Sequence, residues 1–212
     1  ASTQQQKLKG KYFDNFISVS LDYDKRNQKF QTSQGFRNYF STDLPLISET
    51  NTLANTFIST NYYEYFNNNI LKSSFYFRNA NSITGENVKL SERLSLPSNR
   101  LRGFKRGKVG PKDGNDFIGG NYIASLNFSS DVPKILENSQ TTDLKIFLDI
   151  ANVWGVDYDS SLETSDGIKS ALGIGLDFFT PVGPLNFTLS QHLSKGSNDI
   201  TEAFRFNLGT SF

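Results

Sequence analysis

Phe204-Arg205-Phe206-Asn207-Leu208-Gly209-Thr210-Ser211-Phe212 alternates strictly in polarity. Phe204, Phe206, Leu208 and Phe212 fall on one face, and Arg205, Asn207, Gly209 and Ser211 on the other. Successive side chains of a strand point to opposite faces, so this period of two predicts a strand with one apolar and one polar side. The same rhythm returns upstream. Leu185, Phe187, Leu189 and Leu193 alternate with Asn186, Thr188, Ser190 and His192. Ile168, Leu172, Ile174, Leu176 and Phe178 oppose Lys169, Ala171, Gly173, Gly175 and Asp177. Leu144, Ile146, Leu148 and Ile150 oppose Lys145 and Asp149, while Tyr122, Ala124, Leu126 and Phe128 oppose Asn121, Ser125 and Asn127. No helical period competes. In the first half, 16–23, 35–44, 52–63 and 69–78 read as strands, which makes about nine in all.

Strand length favours a membrane over a soluble sheet. A tilted strand needs ~9–11 residues to cross a bilayer, whereas strands of soluble sheets run nearer ~5–6. No run approaches the ~20 apolar residues of a spanning helix. A barrel remains open to a chain that is only 36% hydrophobic, because strands facing lipid on one side and water on the other average to a polar composition. A net charge of +1 gives no whole-chain case for a nucleic-acid partner. Cys is absent, which excludes disulfides and thiolate metal sites. Met is absent too, and Ala1-Ser2-Thr3-Gln4-Gln5-Gln6 lacks the apolar core of a signal peptide, so a mature form or an excised fragment is expected.

Turn chemistry predicts short connections at Asp24-Lys25-Arg26-Asn27-Gln28, Asp43-Leu44-Pro45-Leu46 and Thr180-Pro181-Val182-Gly183-Pro184. Longer connections, rich in Ser, Asp and Gly, fall at 129–143, 155–167 and 194–202. Outer-membrane barrels alternate in this way, with short periplasmic turns and longer outer loops. The longest connection, 79–118, is too long for a hairpin, and loops of that length are usually functional or disordered.

Several segments resemble the family of the outer-membrane protein assembly factor BamA, within the surface-antigen, barrel-insertase superfamily. Leu101-Arg102-Gly103-Phe104, followed by Lys108-Val109-Gly110-Pro111-Lys112, is similar to the family's Val-Arg-Gly-aromatic motif and its downstream Gly-Pro. Phe147-Leu148-Asp149-Ile150-Ala151-Asn152-Val153-Trp154 resembles a family strand with an inward Asp and a terminal Val-Trp. Pro181-Val182-Gly183-Pro184-Leu185 through Phe212 resembles the turn and the last two strands, and Tyr23-Asp24-Lys25-Arg26-Asn27 with Ser33-Gln34-Gly35 resembles an upstream turn. The resemblance implies an all-β, antiparallel transmembrane β-barrel of sixteen strands, of which residues 1–212 would be the C-terminal part, about nine strands without POTRA domains. It implies that loop 79–118 folds into a polar lumen, with Arg102 meeting inward carboxylates. Strand parity nominates Asp149; Asp177 is a second candidate. The family tends to carry an acid where this chain has Asn127, a departure expected to weaken the charge network.

What the resemblance implies for function is the assembly and insertion of barrel proteins into the outer membrane, with no enzymatic step, catalytic residue, metal or cofactor. A lateral seam would use strand 203–212 as a template, with Phe204, Phe206, Leu208, Gly209 and Phe212 forming the seam and C-terminal signal. Expected partners are the lipid bilayer, unfolded barrel clients and accessory lipoproteins reached through upstream domains. Rival readings are a translocation pore of the same superfamily, either for two-partner secretion or TamA-like, a passive porin, and a soluble sandwich. The basic stretch Arg100–Lys112 carries no interleaved aromatic stacking pattern, so nucleic acid is not expected. His192 and Ser190 share a strand face, but nothing supplies an oxyanion hole for a Ser–His enzyme. Gly173 and Gly175 lie inside a strand with no helix after them, and so fail the context of a nucleotide-binding loop.

Overall fold

The structure, a computed structural model, describes residues 13–29, 32–48, 51–65, 69–132, 142–162, 167–180 and 183–208. Nine long strands form one antiparallel sheet: β1 (Asp14–Asp24), β2 (Gly35–Ser48), β3 (Thr52–Glu64), β4 (Ile70–Ser82), β7 (Tyr122–Asp131), β8 (Thr142–Trp154), β9 (Lys169–Thr180), β10 (Gly183–Ser194) and β11 (Phe204–Leu208). Two short strands, β5 (Lys112–Asp113) and β6 (Asp116–Phe117), make a hairpin inside the long connection between β4 and β7. Each long strand pairs with its neighbours in chain order, with β1 and β11 at the two ends of that order. Gly209 and Phe212 lie outside the described residues.

The period of two sets one face consistently across the sheet. Leu172, Leu189 and Phe206 on the outer face are 50%, 60% and 49% exposed. Inward-facing Phe147, Asp149, Ala151 and Val153 on β8 are all buried. Cross-strand partners share a face, and one row of paired inward positions runs Ser74, Asn127, Asp149, Ala171 and His192 across β4, β7, β8, β9 and β10.

Two sequence expectations fail here. The turn expected at Asp43-Leu44-Pro45-Leu46 is strand, inside β2. Beyond Asp43, β2 pairs with β1 alone, and the register slips between Asn15 and Phe16, opposite Pro45. A proline has no N–H to give a ladder, and a one-sided, bulged segment is where a sheet accommodates it. The alternation of short and long connections is also not clean. Connections 49–51, 83–121, 155–168 and 195–203 share one end of the sheet, and 25–34, 65–69, 132–141 and 181–182 the other. Length in sequence therefore misplaces both the β7–β8 connection and the β2–β3 connection.

The buried core lies between the inner wall and the long loop rather than between two sheets. Val88, Leu94, Leu96, Leu101, Phe104 and Val109 of the loop cluster with Tyr76, Ala80, Ile123, Ala151, Val153 and Ala171 of the wall. The polar lumen expected from alternation is apolar where the loop sits. Burial of this cluster ties the loop down, each large side chain contributing roughly 1.5–3 kcal/mol.

Candidate functional site: the seated loop

Residues 100–105 cross the strands almost one wall position at a time. The Arg100 Nη1 donates to Ser74 Oγ on β4 at 2.9 Å, and the Arg100 carbonyl accepts from Asn127 Nδ2 on β7 at 2.8 Å. Arg102 reaches Asp149 on β8. Gly103 comes next, with φ of +89°; a Cβ there would lie 3.1 Å from both Ala171 Cβ on β9 and Ser190 Oγ on β10. The left-handed backbone favours glycine, and the close wall leaves little room for a Cβ. Phe104, 1% exposed, then anchors the loop in the apolar cluster.

Asp149 is fully buried, yet its carboxylate receives four donors. Oδ2 accepts from the Arg102 backbone N–H at 2.9 Å and from Nε at 2.7 Å, and Oδ1 accepts from Arg102 Nη2 at 2.8 Å and Asn127 Nδ2 at 2.8 Å. Two parallel bonds from one guanidinium fix geometry as well as charge. The other side of that guanidinium lies 3.5 Å from the Phe147 ring centre. Phe147 in turn covers Gly173 across the β8–β9 pair, where a Cβ would meet the ring at 2.5 Å. The glycine makes room for the ring, and the ring carries the arginine.

The geometry corrects two expectations about the partners of Arg102. Asn127 reinforces the network instead of weakening it, because its amide donates to Asp149 and its Oδ1 accepts from Ser125 Oγ at 3.0 Å. An acid there would set a second negative charge opposite Asp149 and supply no donor. Asp177 is no substitute partner. It bonds to Lys145 at 3.3 Å and to Asn186, six residues along β9 from Ala171. At ~3.3 Å per residue that is about 20 Å away.

A second anchor, at the base of the loop, had no sequence signal because both partners sit on irregular segments. Arg93 donates from Nη1 to Asn121 Oδ1 at 3.0 Å, from Nη2 to the Val88 carbonyl at 3.2 Å, and from Nη2 to Asp157 on the β8–β9 connection. Its guanidinium also lies 4.8 Å from the Tyr158 ring centre. Asp157 accepts from the Val88 N–H at 2.8 Å and from Asn121 Nδ2 at 2.9 Å. Burial works against the Asp157 charge, but those donors and Arg93 outweigh it and hold the carboxyl below its ordinary range. A depressed carboxylate pKa contributes stability above the unfolded value, lost as pH falls through the folded one. Protection of the Val88 amide, its exchange rate relative to the intrinsic rate at the same pH, should therefore be unchanged near neutrality and fall only below about pH 4. Loss of protection already at about pH 6 would contradict this.

Phe204, Phe206 and Leu208 all face outward and are exposed on β11, which pairs through five residues with β10. Ser190 Oγ faces the Ala203 carbonyl at 3.3 Å, inside the loop contact. Among the described residues, no three His, Cys, Asp or Glu side chains group to hold a metal.

Comparison with known proteins finds relatives of this chain. The Omp85 superfamily domain matches residues 1–212. The chain is 26% identical over 132 residues to the outer membrane protein assembly factor BamA of Neorickettsia risticii, covering 61% of this chain and 18% of that protein. It is 27% identical over 139 residues to the BamA of Neisseria meningitidis serogroup B, covering 53% and 17%. A SAM50-like protein of Schizosaccharomyces pombe is 33% identical over 144 residues, covering 62% and 29%. The crystal structure of Haemophilus ducreyi BamA lacking POTRA domains 1–3 superposes with a TM-score of 0.81 at 22% identity, over 89% of this chain and 41% of that one. The chain thus spans less than a third of these relatives' length and under half of the solved barrel chain. The family model covers the whole of this outer-membrane β-barrel wall and its loop, residues 1–212, and the chain belongs to the Omp85 superfamily.

Proposed function

We propose that this chain is the C-terminal barrel wall and lumen loop of a non-enzymatic insertase that folds β-barrel proteins into the outer membrane. The observation that carries the reading is the seated Arg102 loop, in a chain whose relatives are named as assembly factors. A loop packed across the wall favours a plugged barrel over an open pore. The last strand supplies the working edge. Among the described residues β11 is hydrogen-bonded to β10 alone, and a free strand edge pairs readily with an incoming strand. Unfolded barrel clients would add to that edge while the outward apolar residues stay in lipid. Accessory lipoproteins would act through upstream domains.

Vesicles carrying the full-length parent protein should convert an unfolded barrel client into a protease-resistant form, with ion flux near that of empty vesicles. Sustained flux without client folding would sink the insertase reading and favour a pore.

A further inference from the structure

The long loop is held a third time, by the connection that leads into β11. Three backbone bonds join the two segments: Lys105 N–H to the Ile200 carbonyl at 2.8 Å, Ile200 N–H to the Lys108 carbonyl at 3.0 Å, and Glu202 N–H to the Gly103 carbonyl at 2.9 Å. Phe104 and Thr201 form an antiparallel bridge between them. Two side chains close the contact from either end. Asp199, 6% exposed, accepts from the Gly110 N–H at 2.9 Å through Oδ1 and from the Gly196 N–H at 2.7 Å through Oδ2. Arg205, on β11 itself, donates from Nη1 to the Ser98 carbonyl at 3.0 Å and from Nη2 to the Phe104 carbonyl at 2.6 Å. Its Nε donates to Glu202 at 2.8 Å.

Arg205 faces inward beside Thr188, so its fork spans the gap between the last strand and the loop. β11 cannot leave β10 without withdrawing that fork from two loop carbonyls. The loop cannot lift without breaking the same bonds together with those to Asp199. Each segment therefore stabilises the position of the other, and this coupling is reciprocal.

We infer that Asp199 and Arg205 form a latch through which the seated loop sets how firmly the last strand is held. The inference rests on the reading of β11 as the working edge. Both residues are positioning residues: they touch neither client nor lipid, and they act by fixing β11 against the loop. Loop seating then governs edge availability. A client that pulls on β11 loosens the loop, and a loosened loop frees β11.

The experiment uses the full-length parent in lipid nanodiscs, with amide hydrogen exchange read at 103–108, at 204–208 and at 145–153 on β8. Asp199→Ala and Arg205→Ala should raise exchange at both 103–108 and 204–208 by about tenfold or more, the scale expected for local opening after loss of charge-assisted bonds. Exchange on β8 should stay at the parent level, and Arg205→Lys, which keeps charge without the fork, should rescue only part of the effect. Faster exchange at 103–108 with 204–208 unchanged would overturn the latch. Should either alanine variant fail to fold, cysteines at Lys105 and Ile200, in a parent with any other Cys replaced, offer the opposite test. Their oxidation should slow exchange at 204–208, and no slowing would overturn the latch. Slowed exchange with client insertion at the full parent rate would leave the latch standing and sink the reading of β11 as the insertion edge.

Discussion

Asp149→Ala in the full-length parent is expected to open the loop around residues 100–105 while the nine-stranded wall stays folded. The substitution leaves the Arg102 guanidinium and its backbone N–H without their acceptor, with the guanidinium still against the Phe147 ring. Arg102→Ala does the reverse, leaving a fully buried carboxylate with two neutral donors, the residue-102 backbone N–H and the Asn127 amide, and no counter-charge. Breaking one side of a buried ion pair costs about 3–5 kcal/mol. At ~1.4 kcal/mol per factor of ten, local opening should rise by more than a hundredfold. Hydrogen exchange at 102–105 and trypsin cleavage after Lys105 or Lys108 report this directly. Asp149→Asn should be milder, since it keeps an acceptor for the backbone N–H. The Arg102→Ala, Asp149→Ala double variant should open no more than the worse single variant, because both remove one contact. Simple additivity, or a loop as protected as in the parent, would refute the anchor. Arg93 and the contacts to 199–202 remain in every case, so the expected lesion is local.

Gly120→Ala should destabilise the fold strongly for so small a substitution. A Cβ at this position would stand 2.2 Å from the Trp154 carbonyl oxygen and 2.7 Å from its carbonyl carbon, both backbone atoms that no rotamer change can move. Gly120 also exchanges two hydrogen bonds with Leu94 of the loop, at 2.8 and 2.9 Å. The next residue, Asn121, bonds to both Arg93 and Asp157. A shift that relieves the clash therefore pulls on the loop base, the start of β7 and the end of β8 together. Overpacking of a tight site costs about 1–3 kcal/mol, and an immovable neighbour puts this one at the upper end. Gly175→Ala is the control. It lies on the inward face of β9 with nothing within 4 Å, and replacing a strand glycine by alanine there should be neutral or stabilise by about 0.5–1 kcal/mol. Thermal unfolding followed by the fluorescence of Trp154, the single tryptophan of the chain, separates the two. Equal midpoints for Gly120→Ala and the parent would refute the steric account.

Much of the wall was legible from alternation, because strand parity is a local property. Leu172, Leu189 and Phe206 face outward, and Asp149 inward, as the period of two requires. The resemblance carried by Leu101-Arg102-Gly103-Phe104 pointed to the segment that now lies across the wall. Parity could not say what fills the space it points into. Inward Ile123, Phe147 and Val153 interrupt the polar face, and only the loop resting on them explains why those positions are apolar.

The sequence by itself determined the strands, their two faces and the family, since each depends on residues close together in the chain. Tertiary structure alone decided the partners. Asn127 acts as a donor to Asp149 because β7 and β8 pair in a register that sets the two side by side. Pro45 is strand because β2 outruns β3 and bulges against β1. Arg93 finds Asp157, and Arg205 finds the carbonyls of Ser98 and Phe104, across separations of 64, 107 and 101 residues. Such contacts join irregular segments that carry no periodicity of their own. They form only once the sheet has placed the ends of distant strands within reach of one loop.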